Sequence, residues 1–193
     1  MSSDQFDVPA LPTLLPLGVL LMAVSWVLLR RRELLTARRL GTAWFAGWYA
    51  VAVLGATMLP LHLGWGDRAG EPKLYRIILV PLTTMRVDDF LLNIVMTLPL
   101  AAVLYTVFSI DAKSRVILLG FVISAAIEVT QAGLDIAFHG NRWADVNDLI
   151  SNTLGALLGY LAFRRARRFE SFRTALESYS LAGSERRSQK AVR

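Results

Sequence analysis

Glu128 stands inside the apolar run 116–134 and opens a series in which acids, amides and an arginine recur at helical spacing. The series reads Glu128-x2-Gln131-x10-Arg142-x2-Asp145-x2-Asp148-x3-Asn152-x2-Gly155-x3-Gly159. A carboxylate in such a run is costly unless it is paired or faces a wet cavity, so it marks a functional site. Glu128 and Asp148 are the candidate catalytic residues, able to handle a proton between two carboxyl groups. Arg142, Gln131, Asp145, Asn152, Asp89 and Asn93 are the candidate ligand-binding residues. The planar fork of Arg142 suits phosphate or carboxylate, and the three amides would orient whatever binds. Glu128, His139, Asp145 and Asp148 fit no metal-ligand spacing, and no cofactor or metal is expected.

The elements that must position these groups are long apolar segments. Of the 193 residues 54% are hydrophobic, and they gather into runs near the ~20 residues needed to cross hydrocarbon. The expected fold class is all-α, a polytopic membrane protein with five spans: 11–29, 40–61, 90–108, 116–134 and 146–163. The last is short and opens with polar residues, so four spans plus a half-inserted helix is the alternative. The domain plan is an outside segment 1–10, a membrane domain 11–163, a basic helix 164–181 and a disordered tail 182–193.

Basic residues orient the bundle. With the N-terminus outside, the inside segments 30–39, 109–115 and the tail from Arg164 carry five, two and nine of the 21 Lys and Arg residues. That is the arrangement the positive-inside rule prefers, with the C-terminus cytoplasmic. The net charge of +6 is thus accounted for by the membrane, and nucleic acid is not an expected partner. Asp4 and Asp7 stand where a signal peptide carries basic residues. Arg30-Arg31-Arg32 follow the first run where a cleavage site would lie, so that run is expected to stay as an anchor. The chain has no cysteine, which excludes disulfides and thiol chemistry.

Between spans, 64–70 is turn-rich, and 77–84 is apolar, too short to span and interrupted by Pro81. Partial burial of that segment is expected, at the interface or dipping back among the helices. Pro99 lies mid-span and frees the carbonyl of Val95, predicting a kink. Past Phe163, the residues Phe169, Phe172, Leu176 and Tyr179 share one helical face amid arginines, the pattern of a helix lying on an anionic leaflet.

In this topology every notable polar group falls near the outer leaflet. Asp89 and Asn93 share a face of the third span. Glu128, Gln131 and Asp135 share one on the fourth, and Asp145, Asp148 and Asn152 one on the fifth. Convergence on one outward-facing pocket satisfies all three stripes. Plainer roles stand beside this one. Asp88, Asp89, Asp145 and Asp148 begin inward-running helices, where aspartate caps the N-terminus. Asn93, Gln131 and Asn152 could join helices by hydrogen bonds, and Gly155-x3-Gly159 is a close-packing face. His139 reads as an exposed turn residue. Arg142 either neutralises Glu128 or the aspartates, or holds an anionic ligand.

These residues resemble the VanZ-like family of bacterial membrane proteins. The likeness rests on the Glu128-to-Gly155 series and on Asp89-Phe90-Leu91-Leu92-Asn93 followed by Pro99-Leu100, and it covers roughly 40–163. It implies an integral protein of the bacterial inner membrane and cell envelope. The family's namesake is linked to low-level resistance to the glycopeptide teicoplanin. Implied partners are the lipid bilayer and an anionic envelope precursor or lipid, such as a lipid-linked precursor, a peptidoglycan stem or a lipoglycopeptide. A proton-coupled transporter, or a structural subunit whose polar groups only bind helices together, is the alternative.

The orientation is directly testable. Reporter fusions at Arg38, Lys113 and Ser184 should read cytoplasmic, and fusions at Ala69 and Gly140 outside; a cytoplasmic reading at Gly140 would remove the outward pocket.

Overall fold

The computed structural model describes residues 4–66, 69, 71–83 and 85–181; the tail expected to be disordered, 182–193, lies outside the described residues. Helix α1 (Ala10–Arg31) and α2 (Ala37–Met58) form an antiparallel hairpin. Helices α3 (Val87–Thr97) and α4 (Leu100–Phe108) make up the third apolar run, followed by α5 (Lys113–Phe138), α6 (Val146–Ala166) and the short α7 (Glu170–Tyr179). Four segments are long and apolar enough to cross a membrane: 10–31, 37–58, 87–108 and 113–138. The α6 helix has the length of a span, with 21 residues or about 31 Å at the helical rise. It is not among those four, because its buried face is polar and small rather than apolar.

That face explains the architecture. Asn147, Ser151, Asn152, Gly155, Ala156, Gly159, Tyr160 and Phe163 are buried on α6, recurring every three or four residues along one stripe. The stripe packs against α3, α4 and α5, while Ile150, Leu158 and Leu161 on the other side of α6 are exposed. A Cβ on Gly155 would collide with Thr97 Oγ1 and with the Ile94 carbonyl, and one on Gly159 would collide with the Leu98 carbonyl. Glycine at these two positions is what lets the α3 backbone lie against α6. Below the contact, Leu100, Ala101, Leu104, Val116, Ala156, Tyr160 and Phe163 close a continuous apolar core.

The break between α3 and α4 falls at Leu98-Pro99, where Pro99 cannot donate to the helical ladder. Leu98 N–H bonds both Ile94 O and Val95 O, at 3.1 and 3.3 Å, which takes up the carbonyl that proline would have stranded.

Short strands add to the helical plan. β1 (Asp4–Val8) pairs antiparallel with β2 (Leu61–Trp65), tying the N-terminal segment to the chain leaving α2. β3 (Ile77–Ile78) pairs in parallel with β4 (Ala144–Asp145). The apolar segment expected to be partly buried therefore divides. Ile77 and Ile78 are half-buried beside β4, while Leu79, Val80 and Leu82 are exposed. At the other end, α7 sits under the core. Phe172 meets Phe163 edge-on at 6.2 Å, Leu176 packs on the core, and Phe169 remains exposed.

Gly159→Ala and Gly155→Ala should each lower unfolding stability in detergent by about 1–3 kcal/mol through overpacking against backbone. Gly133→Ala, with nothing within 4 Å of the added carbon, should be neutral or gain about 0.5–1 kcal/mol from reduced unfolded-chain entropy.

Candidate functional site

The α5–α6 turn builds the site. His139 takes the left-handed conformation, φ 50°, as the C-cap of α5, and Gly140 N–H bonds Leu134 O at 3.1 Å. This six-to-one bond ends the helix and reverses the chain. A Cβ on Gly140 would press on the backbone of Leu134 and Asp135 at 3.2–3.3 Å, so the glycine follows from the closeness of the turn. His139 departs from the expected exposed turn residue: it is half-buried, with Nδ1 3.1 Å from the Gly64 carbonyl.

Beyond the turn, Asp145 caps α6. Its carboxylate accepts from Asn147 N–H at 2.8 Å and from the Asn147 side chain at 2.8 Å, which satisfies an orphan donor of the first turn. The Asp145 N–H in turn donates to Glu128 Oε2 at 2.7 Å. Glu128 therefore touches a backbone donor at the head of the neighbouring helix.

Arg142 has a role that was not expected of it. Its Nε donates to Thr57 O at 2.9 Å and its Nη2 to Ala56 O at 2.7 Å. Gln131 Nε2 donates to the same Thr57 carbonyl at 2.7 Å. These carbonyls belong to the last turn of α2, which has no intrahelical donors left for them. Among the described residues no carboxylate lies within ion-pair distance of Arg142. Burial pulls its pKa below the ordinary value, with the Asp148 charge acting in the opposite direction. Neutralisation of Glu128 by Arg142 is thus replaced by the capping of α2.

The other charges pair away from the pocket. Asp135, which shares a helical face with Glu128 and is 1% exposed, lies 3.6 Å from Arg76, and Arg76 also donates to Gly140 O at 2.5 Å. Arg86, not Asp88 or Asp89, occupies the N-cap position of α3. It pairs with Asp88 at 2.8 Å and Asp89 at 3.3 Å at the exposed rim. Those two aspartates sit in the first helical turn, where the dipole favours them.

What remains is a polar cavity of about 300 Å³ lined by Asp89, Asn93, Glu128, Gln131, Arg142, Asp148 and Asn152, with Ala56, Thr57, Leu92, Asn141 and Trp143. Seven of the eight residues singled out from sequence line it. Asp145 lines an adjoining cavity of about 420 Å³ that shares Asp89, Trp143 and Asp148. Asn93 faces the Asp148 carboxylate. Asn152 Nδ2 donates to Ser124 Oγ at 3.0 Å. Yet Asn152 Oδ1 and Gln131 Oε1 are buried with no donor, on side chains 2% and 5% exposed. Buried acceptors are seldom left so. Among the described residues no group of three or more His, Asp or Glu side chains is placed to hold a metal ion.

Trp143, Arg86 and the α2 carbonyls were not legible as parts of the site. Trp143 follows Arg142 directly and could have been found from its position in the turn; a backbone carbonyl carries no sequence signal.

A bundle of apolar helices packed on the polar face of α6, with acids and amides gathered at the end near the α5–α6 turn, defines a multi-pass membrane protein. The VanZ/LLP1 family model matches residues 45–167, most of the chain, and the chain belongs to that family. No curated protein and no solved structure matches it.

Arg142 and Glu128 share no bond, whereas Arg142 and Gln131 share the Thr57 carbonyl. In double-mutant cycles read by unfolding in detergent, Arg142→Gln with Glu128→Gln should couple by less than about 0.5 kcal/mol, and Arg142→Gln with Gln131→Leu by more. Strong coupling of Arg142 to Glu128 would restore the ion-pair reading.

Proposed function

We propose that this chain is a five-span protein of the bacterial inner membrane, α6 included, with its N-terminus outside. It binds a cell-envelope component in the cavity between α2, α3, α5 and α6. The basic segment around α7 rests on the inner leaflet. The observation that carries the reading is the pair of buried, unpartnered acceptors, Asn152 Oδ1 and Gln131 Oε1, in a cavity that also holds Glu128, Asp148 and Asp89. In a subunit whose polar groups only join helices, those groups would satisfy one another. Here two amides that line the cavity use their donors on the fold and leave buried acceptors without a partner. A bound molecule supplying donors completes the site.

Within it, Asp148 and Glu128 are the groups able to exchange a proton with the bound component. Asn93 positions Asp148, and the Asp145 N–H positions Glu128. Arg142 and Gln131 act by fixing the end of α2, which forms one wall. In the bacterium, engagement of an envelope component at this site influences susceptibility to teicoplanin-type glycopeptides.

Glu128→Gln keeps an acceptor for Asp145 N–H, and Asp148→Asn keeps the side-chain shape. Both variants should remain inserted and unfold within a few degrees of wild type, yet a deletion strain complemented with either should grow in graded teicoplanin like the uncomplemented strain. Wild-type susceptibility from both folded variants would end this reading.

A further inference from the structure

The polar cavity does not end at Asn152. Asn152 and Thr57 also line a second cavity of about 450 Å³ that runs between α2, α4 and α5. Apart from those two junction residues, Thr97, Ser124 and the Tyr49 hydroxyl, its lining is hydrocarbon, with Ala50 and Val53 on α2, Val103 and Val107 on α4, and Ile123 and Ile127 on α5. From Thr57 the groove follows α2 to Ala46, a distance of about 16 Å at the helical rise. Apart from Asn152, its lining lies on segments long and apolar enough to cross a membrane. Its size falls within the ~300–1,000 Å³ of ligand sites. A polar chamber and an apolar groove that meet at two shared residues form a site of two polarities, suited to one amphiphile.

The chamber also specifies the head. Its ionisable lining is three carboxylates, Glu128, Asp148 and Asp89, and one arginine. Asp89 is paired with Arg86, which leaves Glu128 and Asp148 without a cation at salt-bridge distance among the described residues. Two of the arginine's three nitrogens donate to the carbonyls of Ala56 and Thr57. On the chamber's lining residues the buried atoms without partners, Asn152 Oδ1 and Gln131 Oε1, are both acceptors. An anionic head would face like charge. An ammonium carries three donors and no acceptor, and it meets each of these demands.

We propose that the molecule held here is an amine-headed lipid, its ammonium among Glu128, Asp148, Gln131 and Asn152 and one hydrocarbon tail in the groove between α2, α4 and α5. This rests on the binding role of the polar cavity and narrows the envelope component to a membrane amphiphile. It replaces the anionic ligand that Arg142 suggested from sequence. Ala50, exposed on α2, lines only the tail groove, so tail and head can be perturbed separately.

The test uses the full chain in nanodiscs of equal phosphatidylethanolamine and phosphatidylglycerol, released for native mass spectrometry. Retained phosphatidylethanolamine should exceed phosphatidylglycerol by about tenfold, a preference of roughly 1.4 kcal/mol. Asp148→Asn together with Glu128→Gln should bring that ratio toward unity. Ala50→Trp should lower retention of either lipid by about tenfold by filling the groove, corresponding to roughly 1.4 kcal/mol. Ala46→Leu blocks the same groove with a smaller side chain and replaces Ala50→Trp if that variant fails to fold. Equal retention of both lipids, a preference for phosphatidylglycerol, no retained lipid, or wild-type retention in a folded groove variant would each overturn the proposal. Failure here with loss of growth in Glu128→Gln leaves the pocket's function standing and removes only the lipid. Selective retention with fully active Glu128→Gln and Asp148→Asn variants overturns the function and keeps the amine selectivity.

Discussion

The approach of α3 to α6 across Gly155 and Gly159 is the contact on which the rest of the structure depends. The carbonyls of Ile94 and Leu98 occupy the space where a side chain would otherwise stand. In a medium with little hydrophobic force between helices, such backbone proximity is a principal source of association. It also fixes the register of the two helices. With Ile94 and Leu98 set against Gly155 and Gly159, Asn93 is brought level with Asp148. A site made of single residues from separate helices needs that register more than it needs any one hydrogen bond. The proline break directly after Leu98 serves the same contact, because it ends α3 where the two backbones are closest and lets α4 turn into the core.

The second constraint is the treatment of helix ends. Apolar surroundings offer little water to orphan carbonyls, so the last turn of α2 must find donors in the protein. It finds them in Gln131 and Arg142. The head of α6 is satisfied by Asp145, and the Asp145 amide by Glu128. The polar residues thus perform two tasks at once. Their donors and some of their carboxylate oxygens terminate helices, and the atoms left over face a common chamber.

Much of this was legible in the chain. The apolar runs gave the helices within a few residues, Pro99 gave the break, the Gly-x3-Gly spacing gave the packing face, and the helical spacing of Glu128, Gln131, Asp148 and Asn152 gave the convergence. What escaped depended on contacts between distant residues. Nothing local tells an arginine at position 142 that its partners are carbonyls at 56 and 57, and counting charges suggested an acid instead. Asp135 shares the helical stripe of Glu128, but the turn at Gly140 brings Arg76 to it. The strands were missed because each has only two to five residues and borrows its partner from a remote loop. The α6 helix was the least certain span from sequence for a reason now visible: its buried side faces protein, so it carries little of the apolar signal that marks a helix facing lipid.

The ribbon of β1 and β2 has a mechanical consequence. Helices α1 and α2 are joined at one end by the short turn after Arg31 and at the other by backbone hydrogen bonds between Asp4–Val8 and Leu61–Trp65. Along their length, Leu14 lies over Gly55 and Trp48 over Gly18. The two helices are therefore sides of a closed backbone frame, fastened at both ends and filled in between. Such a frame resists sliding and splaying, so any outward swing of α2 that widens the chamber must carry α1 with it as one panel. The first helix, although it precedes the stretch matched by the family, thus adds lipid-facing area to the α2 wall of a cavity it does not line.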